Sequence, residues 1–348
     1  MLKIGVIGCG KIAEVRHVPE YDENPNCELT AYFDIAPERA GMLAEQFGGQ
    51  VYGSVAELLA SGVDAVSVCV ANAQHAQVAV AALDAGAHVL CEKPMATTPE
   101  DCRAMVDAAD RSGRQLMIGL NQRFARAHVK AKEILDSGEL GRVLAFRTSF
   151  CHPGPENWTG RTDSWFTDRR LAGFGVMADL GVHKTDLLCY LTGLRVVRTF
   201  AALATLDKLT ADGAPIPVED NALALYTLEN GALGTMHVSW TDYGAEDNST
   251  RIYCTGGALR LYDDPEASLI VELPDGSVTR HQLDRLTSNK DQTSGGRTST
   301  GVIDAFVESV LTGVPSPANG ASALHAMDVI FANQRSADTG RPVDIPLA

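Results

Sequence analysis

The chain reads as a two-domain α/β protein. An N-terminal doubly wound parallel sheet (residues 1–122) is followed by an α+β domain (residues 123–348) with an open-faced, mainly antiparallel sheet. Three observations carry this. At 348 residues the chain exceeds the roughly 250–300 at which single cores stop growing. Its first third alternates short β-rich apolar runs with longer amphipathic ones, the pattern of βαβ units. Its later part instead strings alternating segments together at hairpin spacing, which predicts antiparallel pairing.

In order, KIGVIG, ELTAYFD, DAVSVCV, HVLCEK and QLMIGL are predicted strands, each but the last followed by a helical stretch such as PERAGMLAEQFG or HAQVAVAALDAG. AVSVCV is apolar on both faces and so belongs in a sheet covered on both sides. A helix in HVKAKEILDSGELG leads to the strand VLAFRTSF, an irregular segment, and a helix from about Val176 to Leu191. The strands VVRTFAALAT, NALALYTL, ALGTMHVSW, TRIYC, ALRLYDD and SLIVEL follow, with turns at Glu229-Asn230-Gly231 and Pro274-Asp275-Gly276. Residues 286–300 read as a polar loop, and two helices close the chain.

Composition narrows the function classes. Hydrophobic residues are 45% and charged residues 21%, enough apolar surface for two cores, so disorder is excluded as the main state. A net charge of −15 without a basic run argues against nucleic acid or an anionic membrane as partner. No segment has the apolar length of a signal sequence or a membrane span. The eight cysteines form no Cys-x-x-Cys pair, which predicts reduced thiols and a cytoplasmic location.

Gly8-Cys9-Gly10-Lys11-Ile12-Ala13 follows the first predicted strand and opens a helix. In that context Gly8 permits the tight turn, Gly10 lets backbone approach a pyrophosphate, and Ala13 allows close helix–strand packing. The helix N-terminus offers unpaired N–H groups to the phosphates. Asp34, at the end of the second strand, can hold the adenosine ribose hydroxyls and would repel a 2′-phosphate. The expected cofactor of this Rossmann domain is therefore NAD, with Arg39 keeping NADP possible. Lys93, in Cys91-Glu92-Lys93-Pro94, stands at a strand's carboxyl end, where ligands of such sheets sit. Asp179, His183 and Asp186 fall within an arc of about 60° on one helix face, suited to orienting a general base. The same trio could be an N-cap with a satisfied core histidine. No further His or Cys is spaced for a metal, and none is expected.

Together with GLNQRF (Gly119–Phe124) and WFTD…GFGVMADLGVHKTD, these motifs resemble the glucose–fructose oxidoreductase / inositol dehydrogenase / rhizopine catabolism oxidoreductase family. The resemblance runs through nearly the whole chain, to the closing TGRPVDIP. It implies a Rossmann domain followed by a domain whose open sheet forms dimers or tetramers. It implies Lys93, Asp179 and His183 as the catalytic triad, with Lys93, Asn72, His75 and Glu92 lining the cofactor. Asn121, Arg123, Trp158 and Trp165 are expected on the substrate side, with Trp240 and Tyr243 as further candidates. Val70-Ala71-Asn72 replaces the usual Thr-Pro-Asn ahead of His75, and Phe174 interrupts a glycine triplet, a departure that bears on the substrate pocket.

The implied reaction oxidises a secondary alcohol of a sugar or polyol. Neutral His183, with an ordinary pKa of about 6.5, would take the hydroxyl proton. Lys93 would stabilise the developing alkoxide, and Asp179 would fix His183 or hold a neighbouring hydroxyl. Arg161, Arg169 and Arg170 leave an anionic substrate open. Two alternatives also stand: hydrolysis or epimerisation through a transient internal redox step, and a dinucleotide-sensing regulator.

Overall fold

The computed structural model describes residues 1–160, 164–286 and 300–346. Arg161 and residues 287–299 of the polar loop lie outside the described residues, as does the side chain of Trp158. Contact clustering divides the chain into two compact units: Met1–Asn121 with Gln292–Leu324, and Gln122–Asp291 with His325–Ala348. Among the described residues no helix is long and apolar enough to cross a membrane.

The first unit holds six strands: β1 (Leu2–Ile7), β2 (Cys27–Phe33), β3 (Gln50–Val51), β4 (Ala65–Val68), β5 (His88–Cys91) and β6 (Leu116–Ile118). They are all parallel, in the order β3-β2-β1-β4-β5-β6, the arrangement of a dinucleotide-binding doubly wound sheet. Every residue of β4 is buried, as a strand covered on both faces must be. The helical stretch after the glycine turn is not uniform. It widens to a π turn over Ala13–His17 before continuing as the α-helix Val18–Glu23.

This unit also reclaims a late piece of chain, so the expected uninterrupted second domain, 123–348, is corrected. The helix Val302–Thr312 buries Val302, Ile303, Phe306 and Val307 along one face. An apolar stripe of that width requires a core to lie on, and it finds one here. Asn24 Nδ2 donates to Asp304 Oδ1 at 2.8 Å, Thr300 Oγ1 donates to Glu20 Oε1 at 3.1 Å, and the Ile118 amide donates to the Ala318 carbonyl.

The second unit has nine strands: β7 (Val143–Cys151), β8 (Val196–Ala204), β9 (Asn221–Leu228), β10 (Leu233–Ser239), β11 (Thr250–Cys254), β12 (Gly257–Asp264), β13 (Ala267–Glu272), β14 (Val278–His281) and β15 (Val343–Asp344). Their order is β14-β13-β12-β11-β7-β10-β9-β8-β15, and each pair is antiparallel except β7 with β10. Gly231 and Gly276, both at positive φ, make the two turns read from sequence. Alternation along β9 and β10 buries Ala224, Tyr226 and Met236 and exposes Leu223, Leu225 and Leu233. One face of the sheet is thus covered and the other open. On the covered face Tyr226 Oη bonds Thr185 Oγ1 at 3.0 Å and accepts from Asn333 Nδ2 at 2.7 Å. This ties the helices Val182–Thr192 and Gly320–Thr339 to the sheet.

Candidate active site

In the first unit, β1 ends at Ile7 and the chain turns through Gly8 at φ 90°. A Cβ on Gly8 would come within 2.6 Å of the Cys69 carbonyl, so this glycine serves the protein's own packing. Gly10 is different: a Cβ there would meet no heavy atom within 4 Å. Nothing in the fold demands glycine at that position, whereas a pyrophosphate approaching bare backbone does. Ala13 is fully buried against the sheet, Ile12 is half-buried, and Lys11 reaches Glu14 at 3.4 Å. Asp34 Oδ2 accepts from the Cys9 amide at 2.6 Å, and its Oδ1 accepts from the Ala36 amide. The carboxylate is thereby held beside the glycine turn. These residues fit a bound NAD.

The Lys93 segment is braced from below. Glu92 Oε2 accepts from the Lys93 amide at 3.1 Å and Oε1 accepts from His17 Nε2 at 2.9 Å. Burial opposes ionisation of Glu92, yet the His17 bond and charge, with Lys93, hold it at about 2. His75 is held between two backbone carbonyls. Its Nδ1 meets the Pro94 carbonyl at 2.8 Å, its Nε2 meets the Val70 carbonyl at 3.1 Å, and it is 1% exposed. It pins the 70s loop to the turn after Lys93. Asn72 is buried in the same loop. At the last position of this unit, Asn121 Oδ1 is buried without a hydrogen-bond partner among the described residues.

In the second unit, the helix carrying Asp179 and His183 starts at Gly175. A Cβ there would lie 2.0 Å from the Glu219 carbonyl oxygen, so only glycine fits. Glu219 Oε1 accepts from the Gly175 and Met177 amides at 2.8 and 3.1 Å, satisfying N–H groups that a helix start leaves open. Burial raises the pKa of this carboxyl. The helix opens with a π turn, Met177–Gly181, and continues as Val182–Thr192. Asp179 and His183 straddle that junction, each 7% exposed. Asp179 Oδ2 accepts from Trp240 Nε1 at 3.0 Å, and the His183 ring lies 6.1 Å from that of Phe150.

Asp186 is engaged by an ion pair. Its carboxylate takes Arg123 Nε at 2.7 Å and Arg123 Nη2, with both residues buried. Arg123, expected on the substrate side, is the other half of this buried ion pair. Trp165 stays half-buried and stacks on Phe166 at 4.1 Å. Phe174 packs toward Phe331 at 5.8 Å, and Tyr243 is exposed. No group of His, Cys, Asp and Glu among the described residues is placed to hold a metal. Sequence reasoning missed the Glu219 cap and the His17 brace, since each pairs residues far apart in the chain.

A glycine turn built for a pyrophosphate, at the end of the first strand of a six-stranded parallel sheet, defines a dinucleotide-binding protein. Residues 2–120 match the oxidoreductase family with an NAD-binding Rossmann fold, and residues 128–260 match the GFO/IDH/MocA C-terminal domain. The chain belongs to the GFO/IDH/MocA oxidoreductase family and, like it, binds NAD and acts on CH–OH groups. D-glucoside 3-dehydrogenase of Escherichia coli (strain K12) is 32% identical over 251 residues, covering 69% of this chain and 70% of that one. The crystal structure of aldose-aldose oxidoreductase from Caulobacter crescentus with glycerol superposes at TM-score 0.82, with 27% identity and 99% of each chain covered. An oxidoreductase from Agrobacterium radiobacter, in complex with NAD+, L-tartaric acid and magnesium, gives 0.84 at 26% identity, covering 99% of this chain and 98% of that one.

Proposed function

We propose that the protein oxidises a secondary ring hydroxyl of a sugar or cyclic polyol, with Lys93, Asp179 and His183 as its catalytic residues. The observation that carries this reading is the Asp179–His183 pair, four residues apart on one helix whose start is fixed by Gly175 and Glu219. Bound NAD supplies the hydride acceptor. His183 takes the hydroxyl proton on its ring, and Lys93 donates a hydrogen bond to the same oxygen as charge develops there. Asp179, oriented by the Trp240 indole, fixes the imidazole or holds a neighbouring hydroxyl. Asn121 and Trp165 contact the substrate. The 3-dehydrogenase relative supports a sugar as substrate.

The assay is NADH formation at 340 nm over a panel of polyols, aldoses, glycosides and uronic acids. Turnover of a neutral sugar or polyol with NAD, abolished in Lys93→Met, is the expected result. A hydrolysed or epimerised product without net NADH would move the chemistry to a transient internal redox step. We also propose that the open face of the second unit's sheet, with Phe200, Leu225 and Leu233 exposed on it, joins copies into a homodimer or homotetramer. Leu225→Lys should then reduce the mass measured by light scattering. The free cysteines favour a cytoplasmic location.

A further inference from the structure

A continuous polar chain crosses the first unit beneath the glycine turn. Tyr21 Oη lies 3.0 Å from Ser67 Oγ on β4, and Ser67 Oγ lies 2.9 Å from His17 Nδ1. His17 Nε2 lies 2.9 Å from Glu92 Oε1, and Glu92 Oε2 accepts from the Lys93 amide at 3.1 Å. Tyr21, Ser67 and His17 are buried, and the Glu92 side chain is 16% exposed. Gly119 closes the remaining side: a Cβ there would press within 3.0 Å of Glu92 Oε1.

Proton placement is fixed at the Glu92 end of this chain. Glu92 is an anion at any working pH and can only accept at both oxygens. His17 Nε2 must therefore carry a hydrogen, whether or not the ring is charged. Ser67 adapts, since a hydroxyl can donate to a neutral Nδ1 or accept from a protonated one. His17 ends the π turn of the helix that begins at the dinucleotide fingerprint. Its ring thus connects that helix to the backbone from which Lys93 projects.

We propose that His17 is a positioning residue for Lys93, acting through Glu92. The proposal rests on the reading of Lys93 as catalytic. His17 orients Glu92, Glu92 fixes the Lys93 amide, and the lysine side chain leaves the backbone in one direction. A merely structural role would predict a loss of stability with no dependence on Lys93.

The test is a double-mutant cycle on the full-length protein, reading kcat, KM for the sugar, thermal midpoint and, by calorimetry, the dissociation constant of NAD. His17→Leu should lower kcat about tenfold or more, as a misplaced catalytic group does. KM and the NAD dissociation constant should stay within about threefold. His17→Gln, which keeps an N–H for Glu92, should recover most of the loss. In a Lys93→Met background, His17→Leu should cost less than about twofold further. An equal fold-loss in both backgrounds, or an unchanged kcat in His17→Leu, would overturn the proposal. Should His17→Leu fail to fold, the isosteric Glu92→Gln carries the same cycle with the same criteria. Full turnover in Lys93→Met alone would overturn the reading of Lys93, and this link with it.

Discussion

The Trp240 indole N–H donates to Asp179 Oδ2 at 3.0 Å, with the indole 1% exposed. Trp240 is held in its turn, because its amide donates to the Asp220 carbonyl at 2.8 Å. Trp240→Phe keeps most of the bulk and removes one hydrogen bond to a carboxylate, worth about 1.5–3 kcal/mol. We expect kcat to fall roughly tenfold while the dissociation constant of NAD is unchanged. A normal kcat would release Asp179 from any need of the indole.

The Arg123–Asp186 pair is a matter of stability. Both groups are buried, so removing one partner strands the other's charge at a cost of about 3–5 kcal/mol. Asp186→Asn should lower the urea midpoint accordingly, and Arg123→Met with Asp186→Leu should recover much of the loss. A pair that contacted substrate would instead raise KM in Asp186→Asn with little change in the midpoint.

Cofactor choice should follow Asp34. Its two oxygens accept from the Cys9 and Ala36 amides, which holds a negative charge next to the turn. We expect NAD to be preferred over NADP by at least about tenfold in kcat/KM, through repulsion of the 2′-phosphate. Asp34→Ser should weaken NAD and narrow that ratio. Equal use of both cofactors by the unmodified protein would show that Arg39 overrides the carboxylate.

Lys184 gives stability a pH slope. Its ammonium is fully buried and donates to the Asn248 carbonyl at 3.0 Å and to Thr250 Oγ1 at 3.4 Å. Burial depresses it to about 7, while Asp247, Cys151 and Glu246 act in the other direction. Between about pH 7 and the unfolded value near 10.5, the unfolded chain binds a proton that the folded one lacks. Stability from this group therefore rises with pH through that window and is lost as pH falls through 7. Relative to Lys184→Met, the unmodified protein should gain up to about 1.4 kcal/mol per unit between pH 7 and 9. Parallel denaturation curves for the two proteins across that range would refute the assignment.

Legibility in the sequence followed the range of the interaction. The strand and helix patterns of the first unit, the hairpin turns at Gly231 and Gly276 and the glycine fingerprint all rest on residues within a few positions of one another. The same locality made Asp179 and His183 visible as a pair. Asp186 shared their predicted face, but an ion pair with Arg123, 63 residues away, claimed it. Spacing likewise cannot reveal that both ring nitrogens of His75 meet carbonyls. The helix Val302–Thr312 was assigned by position along the chain, whereas its apolar face belongs with the first core.

Two helices carry the proposed chemistry, and each contains one π turn, Ala13–His17 and Met177–Gly181. Such a turn accommodates one residue more than a regular helix of the same span. Each surplus residue can leave without changing the register of the turns around it. Removing one from 177–181 would let the turn relax to α geometry while the turns on either side keep their facing. Single-residue deletions in these two segments would therefore be absorbed, while deletions of equal size elsewhere in the same helices would swing one end against the other by about 100°.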